Sequence, residues 1–444
     1  MSIVMCKRKR LTSSQIIIFG FSGVILLGTI LLMLPVSSRE GLWTSFPDAL
    51  FTSTSAVCVT GLVVHDTAAY WSGFGQLVLM LLIQIGGMGV ITVAASFAMI
   101  SGRRISLMQR STMQEAIAAP NVGGIVQLTG FAVKVTLLIE LLGAAAMAPV
   151  FCRDFGIRGL WMALFHSVSA FCNAGFDLMG TRGAFSSLTS YAEEPVVNVT
   201  IMLLIIVGGI GFLTWDDIRI NRFRLHKYRV QSKVIFCTTV VLLAVPAVYF
   251  FFFEFHEFAP GERILCALFQ SVTPRTAGFN TADLTAFSEP GQYIMIALML
   301  IGGSPGSTAG GMKTTTIAVL SASALSTFGR KEYTHFFGRR IDDAVVKNAS
   351  TILLMYLVLF FGGGLVISMA ERLPMRIVLF ETASAVGTVG LTLGITPELH
   401  MLSRLILILL MFSGRVGGLT LIFAAFSGTR KRAALLPQEK IAVG

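Results

Sequence analysis

The pattern Leu-Phe-x-[Ser/Thr]-x-[Ser/Thr]-[Ala/Pro] occurs four times in this 444-residue chain. The copies run from Leu50 to Ala56, Leu164 to Ala170, Leu268 to Pro274 and Leu379 to Ala385. Each leads through a short stretch to a glycine and a large apolar residue: Gly61-Leu62, Gly175-Phe176, Gly278-Phe279 and Gly390-Leu391. These glycines lie 114, 103 and 112 residues apart. A second small-residue pair follows each of them: Gly86-Gly87, Gly208-Gly209, Gly302-Gly303 and Ser413-Gly414. A period near 100 residues exceeds that of solenoids and suits duplicated membrane modules.

The stretches between the motifs support that class. Apolar runs appear near 16–35, 74–100, 125–151, 196–215, 233–253, 292–322, 349–369 and 402–427. A bilayer core of about 30 Å needs roughly 20 apolar helical residues, so these are eight expected spans. Charged residues make up only 13% of the chain, against about 25% in soluble domains. The first run follows Lys7-Arg8-Lys9-Arg10 as a signal peptide would, but it is too long and no small-residue cleavage site follows. It is expected to be an uncleaved span. Six scattered cysteines without a CxxC pair imply neither a disulfide framework nor a metal site. The six histidines show no metal-ligand spacing.

Eight spans put both termini on one side. The segments of that side (1–15, 101–115, 216–233, 328–347 and 428–444) carry 22 Lys and Arg against seven acids. The opposite loops carry seven basic residues against fifteen acids. The positive-inside rule therefore predicts cytoplasmic termini. The net charge of +11 is then a topology signal. No basic segment is interleaved with aromatics in a nucleic-acid motif, so nucleic acid is not an expected partner.

The segment from each motif to its glycine is about 12 residues, near 18 Å as a helix, which reaches only about halfway through a bilayer core. Non-helical backbone at that depth is tolerated where protein buries it or where it lines a watery cavity. Four such re-entrant segments around one axis make a pore. Their helix C-termini carry partial negative charge, and glycine stretches offer rings of carbonyls in place of an ion's hydration shell. Single glycines in membrane helices usually serve packing; four in register favour the pore.

These residues resemble the Ktr/Trk/HKT superfamily of potassium transporters, most closely the membrane subunit of bacterial Ktr-type uptake systems. The resemblance covers nearly the whole chain. It implies an all-α membrane fold of four M1-P-M2 repeats, and a selectivity filter of Val59, Thr60 and Gly61; Asn173, Ala174 and Gly175; Thr276, Ala277 and Gly278; and Thr388, Val389 and Gly390. Glycine at all four filter positions implies K+ bound by backbone carbonyls as the transported ion. The resemblance also implies an intramembrane gating loop, matched by Gly302, Gly303, Ser304, Pro305, Gly306, Ser307, Thr308, Ala309, Gly310, Gly311, Met312 and Lys313. Glycines and a proline in that density do not hold a straight helix. Arg415 matches an arginine under the filter beside that loop, where it would act as a positive plug or as a partner for carbonyls the broken helix frees. A mid-span charge should face protein or water.

The expected organisation is an N-terminus 1–15, repeat 1 over 16–100, repeat 2 over 116–215, repeat 3 over 231–327 with the loop at 302–313, repeat 4 over 347–427 and a tail 428–444. The resemblance further implies a bacterial cytoplasmic membrane, a homodimer, and a separate cytosolic ring of nucleotide-binding subunits, with no nucleotide bound by this chain; a role for Na+ stays open. The basic stretches Arg219 to Lys233 and Arg330 to Arg340 suit docking of such a ring or anionic lipid equally. Asp66, Asp177, Asp283 and Glu398 follow the filter glycines and either concentrate cations at the mouth or are solvated loop acids. Lys134 and Glu140 stand six apart in one span, too far for an i,i+4 pair. Matches to G-x-S-x-G and to a P-loop around 302–314 lack the strand context those motifs need. A cation-coupled carrier would show inverted repeats and paired intramembrane acids. An intramembrane enzyme would show a converging nucleophile, base and oxyanion donors. Neither set is present in the sequence, and no enzymatic activity is expected.

Overall fold

The structure is a computed structural model that describes residues 12–100, 105–117, 123–418 and 420–421. The basic run before residue 12 and the tail 428–444 lie outside the described residues.

The first quarter of the chain forms α1 (Ser13–Met33), α2 (Phe46–Val57), the single turn α3 (Thr67–Tyr70), α4 (Gly73–Met88) and α5 (Val90–Ile100). A connecting helix, α6 (Leu107–Ile117), follows. The second quarter is α7 (Ile125–Phe155), α8 (Arg158–Phe171), α9 (Pro195–Gly209) and α10 (Phe212–Asn221). The third is α11 (Val230–Tyr249), which a π-helical turn extends to Glu254, then α12 (Pro260–Val272), α13 (Glu289–Leu300) and α14 (Thr314–Phe328). A two-stranded hairpin, β1 (His335–Phe336) and β2 (Arg339–Arg340), pairs His335 with Arg340 and Phe336 with Arg339. The last quarter is α15 (Asp343–Glu371), α16 (Met375–Gly387) and α17 (Met401–Val416).

Local chemistry sets the starts of these helices. Thr12 and Gln15 form a capping box on α1. Ser45, Ser72 and Ser288 cap α2, α4 and α13 through their hydroxyls, and Pro sits in the first turn of α2, α9, α12 and α13. The short helices α2, α8, α12 and α16 form the centre of the molecule. Phe51, Phe165, Phe269 and Phe380, the phenylalanines of the repeated motif, are all fully buried there. Outward faces of the long helices are apolar and exposed, as at Leu26, Ile30, Leu137, Leu141, Val241 and Leu365. That arrangement inverts the usual soluble pattern and fits a lipid environment.

Among the described residues, four helices are long and apolar enough to cross a membrane: Ser13–Met33, Ile125–Phe155, Val230–Glu254 and Asp343–Glu371. Two more candidate spans are bent pairs. α4 meets residues 90–96 of α5 at 97°, and α9 meets α10 at 94°. The runs 74–100 and 196–215 read in sequence as continuous because hydropathy persists through the bends. Each bend falls on a glycine in left-handed conformation, Gly89 (φ 86°) and Gly211 (φ 93°). The run 292–322 is split into α13 and α14 by the non-helical stretch 301–313, and the run 402–427 is described only to residue 421.

The connector 101–115 is partly α6 rather than a solvated loop. Met113 and Ile117 are buried, and the Ser14 hydroxyl donates to Glu115 at 2.6 Å.

Candidate functional site

The four short helices aim their C-terminal ends at one region, and there the backbone departs from helix in the same way four times. Two residues before each motif glycine, φ is positive: Val59 (51°), Asn173 (59°), Thr276 (65°) and Thr388 (51°). The glycines are positive as well: Gly61 (91°), Gly175 (68°), Gly278 (79°) and Gly390 (95°). The residues between them, Thr60, Ala174, Ala277 and Val389, are not. Left-handed φ at a β-branched residue is a genuine outlier, costing on the order of 1–3 kcal/mol. Three of the four are β-branched, so their surroundings must hold them.

The second Ser/Thr of each motif supplies that hold. The Ser55 carbonyl accepts from Thr60 N–H (2.8 Å) and its hydroxyl from Gly61 N–H (3.0 Å). Ser384 does the same for Val389 (2.8 Å) and Gly390 (2.9 Å). The Ser169 carbonyl accepts from Ala174 N–H at 2.8 Å. The Thr273 carbonyl accepts from Ala277 N–H at 3.0 Å, and its hydroxyl donates to the Phe279 carbonyl at 2.6 Å.

The glycines touch in a closed ring. A β-carbon built on Gly61 would lie 2.5 Å from the Ala174 carbonyl oxygen, and one on Gly175 2.6 Å from that of Ala277. On Gly278 it would strike the Val389 carbonyl, and on Gly390 the Thr60 carbonyl. The order runs from the first segment through the second, third and fourth and back to the first. The structure thus brings all twelve expected filter residues together around one axis.

One position in each motif escaped the sequence reading, which treated it as variable: Thr52, His166, Gln270 and Glu381. In three copies it tethers the limb that leaves the glycine. His166 lies with Nδ1 2.7 Å from the Met162 carbonyl, while Nε2 accepts from Leu178 N–H at 3.3 Å. Gln270 Nε2 donates to Asn280 Oδ1 at 3.0 Å. Glu381 accepts from the hydroxyls of Thr392 (2.9 Å) and Thr396. Only the recurrence of a hydrogen-bonding side chain directly after the motif phenylalanine signalled this.

On one side of the ring lies the stretch 301–313. It folds back on itself through a parallel bridge between Ile301 and Met312, with Gly302 N–H donating to the Met312 carbonyl at 2.7 Å. It then docks on three neighbours. Ser304 N–H donates to the Gly209 carbonyl (2.9 Å) and Gly311 N–H to that of Gly414 (3.1 Å). The Gly306 carbonyl accepts from Phe212 N–H at 2.8 Å. The Thr308 hydroxyl lies 3.0 Å from the Phe171 carbonyl and 2.9 Å from Asn173 Oδ1. A β-carbon on Gly310 would collide with Thr388. Pro305, Ser307 and Ala309 complete the turn, the Ser307 hydroxyl donating to the Ser304 carbonyl (2.7 Å). Lys313 donates from Nζ to the carbonyls of Ala309 (2.8 Å) and Gly310 (3.3 Å).

Arg415 stands beside this stretch. Its guanidinium donates to the Thr308 carbonyl, to the Gly86 carbonyl and, at 2.9 Å, to the Gly87 carbonyl. A cavity of about 290 Å³ opens below, lined by Arg415, Lys313, Ser307, Tyr356 and Glu115 among others. The register of the fourth copy differs from the sequence pairing by one residue. Gly86, Gly208 and Gly414 are equivalent, each pressed on the carbonyl of Val57, Phe171 or Val386. Arg415 therefore occupies the position of Gly87 and Gly209, not the one after it.

On the other side of the ring a cavity of about 160 Å³ is lined by the four glycines with Asp66 and Asp177. Asp66 caps α3 and accepts from Phe185 N–H at 2.9 Å. Asp177 accepts from Met179 N–H (2.9 Å), and burial pushes its carboxyl up to about 7, with the neighbouring Asp66 adding to the shift. Asp283 caps a turn at Leu284–Ala286, and Glu398 closes a turn at Thr396–Glu398.

Three of the other charges at membrane depth have partners behind the ring. Arg275 is buried with Nη2 3.4 Å from Thr239. Arg404 donates to Asp48 (2.7 Å) and to the Pro397 carbonyl (2.8 Å), joining the last quarter of the chain to the first. Glu140 is buried, accepts from Gln84 Nε2 at 3.1 Å and lies 3.8 Å from Cys172 Sγ. Lys134 is exposed.

Comparison with known proteins places this geometry. The sequence profile of the TrkH family, described as cation transport protein, matches residues 7–441. The chain is 39% identical to the potassium/sodium uptake protein NtpJ of Enterococcus hirae, over 98% of both sequences. It is 38% identical to the Ktr system potassium uptake protein B of Bacillus subtilis, over 98% of this chain and 97% of the relative. With the protein of that name from Vibrio alginolyticus it shares 37%, over 92% and 90%. Among solved structures, the potassium transporter TrkH from Vibrio parahaemolyticus superposes with a TM-score of 0.74 at 20% identity, over 95% of this chain and 86% of that one, which establishes the common fold.

Proposed function

The chain belongs to the TrkH family of cation transport proteins, transporters rather than enzymes, and from that premise we propose that it is the potassium-translocating membrane subunit of a bacterial uptake system. The four glycine segments are its selectivity filter. The closed ring of contacts from Gly61 through Gly175, Gly278 and Gly390 carries this reading. Backbone that alternates positive and negative φ turns successive carbonyls to one side, and four such strands offer stacked oxygen rings that replace the hydration shell of K+. The C-terminal ends of α2, α8, α12 and α16 add negative partial charge at the same place.

The stretch 302–313 is the gate, and Arg415 pins it closed. Three quarters of the chain meet at Arg415: its own, the loop of the third, and the Gly86–Gly87 carbonyls of the first. A fixed cation beneath a cation filter raises an electrostatic barrier in the ion's path. In this reading the repeats 16–100, 116–215, 231–327 and 347–427 are four M1-P-M2 units with eight crossings. The two bent pairs, the interrupted α13–α14 and α17 supply the four crossings that no single long helix makes. Both termini are cytoplasmic, the subunit is a homodimer in the cytoplasmic membrane, and a cytosolic nucleotide-binding ring controls the gate. The names of the Ktr relatives, which call them proteins of a system, favour separate regulatory components. A contribution of Na+ is the second reading, favoured by the name of the Enterococcus relative.

Expression in a bacterial strain lacking its own potassium uptake is expected to restore growth at low K+, and purified protein in liposomes to carry rubidium. Failure of both with intact, membrane-inserted protein overturns the proposal. Omitting Na+ from the rubidium assay separates the two readings.

A further inference from the structure

The side of the molecule expected to face outward carries seven basic residues, all arginines. Four have partners. Arg153 pairs with Asp154 and Glu194, Arg182 with Asp154, and Arg376 with Glu289 and Gln292, while Arg263 donates to the Phe251 carbonyl. Arg39, Arg158 and Arg372 have no acidic partner within salt-bridge distance among the described residues. Two of these three line one cavity, a slot of about 490 Å³ between the first and second quarters of the chain. The slot is otherwise largely apolar, walled by Leu77 of α4, Phe155 of α7 and Trp161 and Met162 of α8. The Trp161 indole is turned inward, donating to Gln76 at 2.9 Å. From Leu77 the exposed face of α4 continues through Leu81, one turn deeper toward the bilayer.

An unpaired arginine pair above an apolar slot is complementary to a phosphodiester carrying an acyl chain. Arginine recognises phosphate through charge-assisted, bidentate hydrogen bonds, and aliphatic walls take the chain. We infer that this slot binds an anionic phospholipid of the outer leaflet, its phosphate held by Arg39 and Arg158 and an acyl chain laid along Leu77 and Leu81. The lipid then braces α8, which carries the second glycine segment, against α4.

The test is native mass spectrometry of the full-length protein with phosphatidylglycerol, with phosphatidylcholine and with inorganic phosphate, alongside melting temperature. The proposal expects retained phosphatidylglycerol in the parent. Affinity should fall about 25-fold in the Arg39→Gln/Arg158→Gln double variant, each basic contact being worth about five-fold. Arg372→Gln, which removes an unpaired arginine outside the slot, should leave retention unchanged. Leu77→Trp, which fills the slot and keeps both arginines, should also reduce it. Equal retention of phosphatidylcholine, equal retention by the double variant, or equal stabilisation by phosphate alone overturns the lipid site. A change of oligomeric state in the double variant without loss of lipid overturns it too and marks the face as a contact between copies.

Discussion

Arg415 donates from Nη1 to the carbonyl oxygen of Thr308 while Nη2 reaches the carbonyls of Gly86 and Gly87. One side chain thus closes a bridge between two parts of the chain that share no other side-chain bond at this level among the described residues. Each hydrogen bond from a charged donor is worth about 1.5–3 kcal/mol. Arg415→Ala removes both the bridge and the charge, and rubidium flux in liposomes should rise about ten-fold or more. Unchanged or abolished flux in a folded variant would falsify the role of Arg415 as a barrier.

The ring of glycines admits no β-carbon. Gly390→Ala places a methyl against the Thr60 carbonyl at a left-handed φ of 95°. Displacing an oxygen by even about 1 Å at such a site can cost on the order of 100-fold in rate. Potassium-dependent growth should be lost while the protein still reaches the membrane, as judged by its yield in membrane fractions. Gly394→Ala, also at φ 95° but with open space around it, should retain growth.

Asp177 lines the cavity on the side of the glycine ring away from Arg415. Its carboxyl, raised by burial to about 7, is ionised above that pH and neutral below it. A negative charge in the mouth attracts cations, so uptake should be greatest at external pH above about 7 and fall as the medium is acidified through it. In Asp177→Asn the profile should be flat across this range, with the low-pH rate throughout. A variant that keeps the parent's inflection assigns the titration elsewhere.

His166→Ala leaves the Met162 carbonyl and Leu178 N–H without their imidazole partner and opens space among Phe151, Phe165 and Phe279. Loss of about 3 kcal/mol is expected from the cavity and the stranded Leu178 N–H. The melting temperature should drop and discrimination of K+ over Na+ should narrow, because the outgoing limb loosens. His166→Gln, which can hold both groups, should recover part of each.

The glycine segments were legible because a fourfold recurrence is visible without any coordinates. Thr60, Ala174, Ala277 and Val389 are of three residue types, but the glycine beside each marks its place. The bends at Gly89 and Gly211 were not legible, since apolar residues continue on both sides and periodicity cannot report a turn of the axis. Nor was the register of Arg415, because a Ser-Gly pair satisfies the same small-residue pattern one position early. Glu140 had no account in sequence because its partners, Gln84 and Cys172, come from segments 56 and 32 residues away.

The position that Arg415 fills is held by Gly87 and Gly209 in two other quarters of the chain, and Gly303 stands there in sequence register. A ring assembled from four identical subunits would have to carry four arginines at that level or none. Four guanidinium groups around one axis would repel each other and shut the path permanently; none would leave it unguarded. Joining the four units in one polypeptide removes that restriction. A single mutation can act on one quadrant alone, so in the role proposed for Arg415 the passage would carry one latch in place of a fourfold lock.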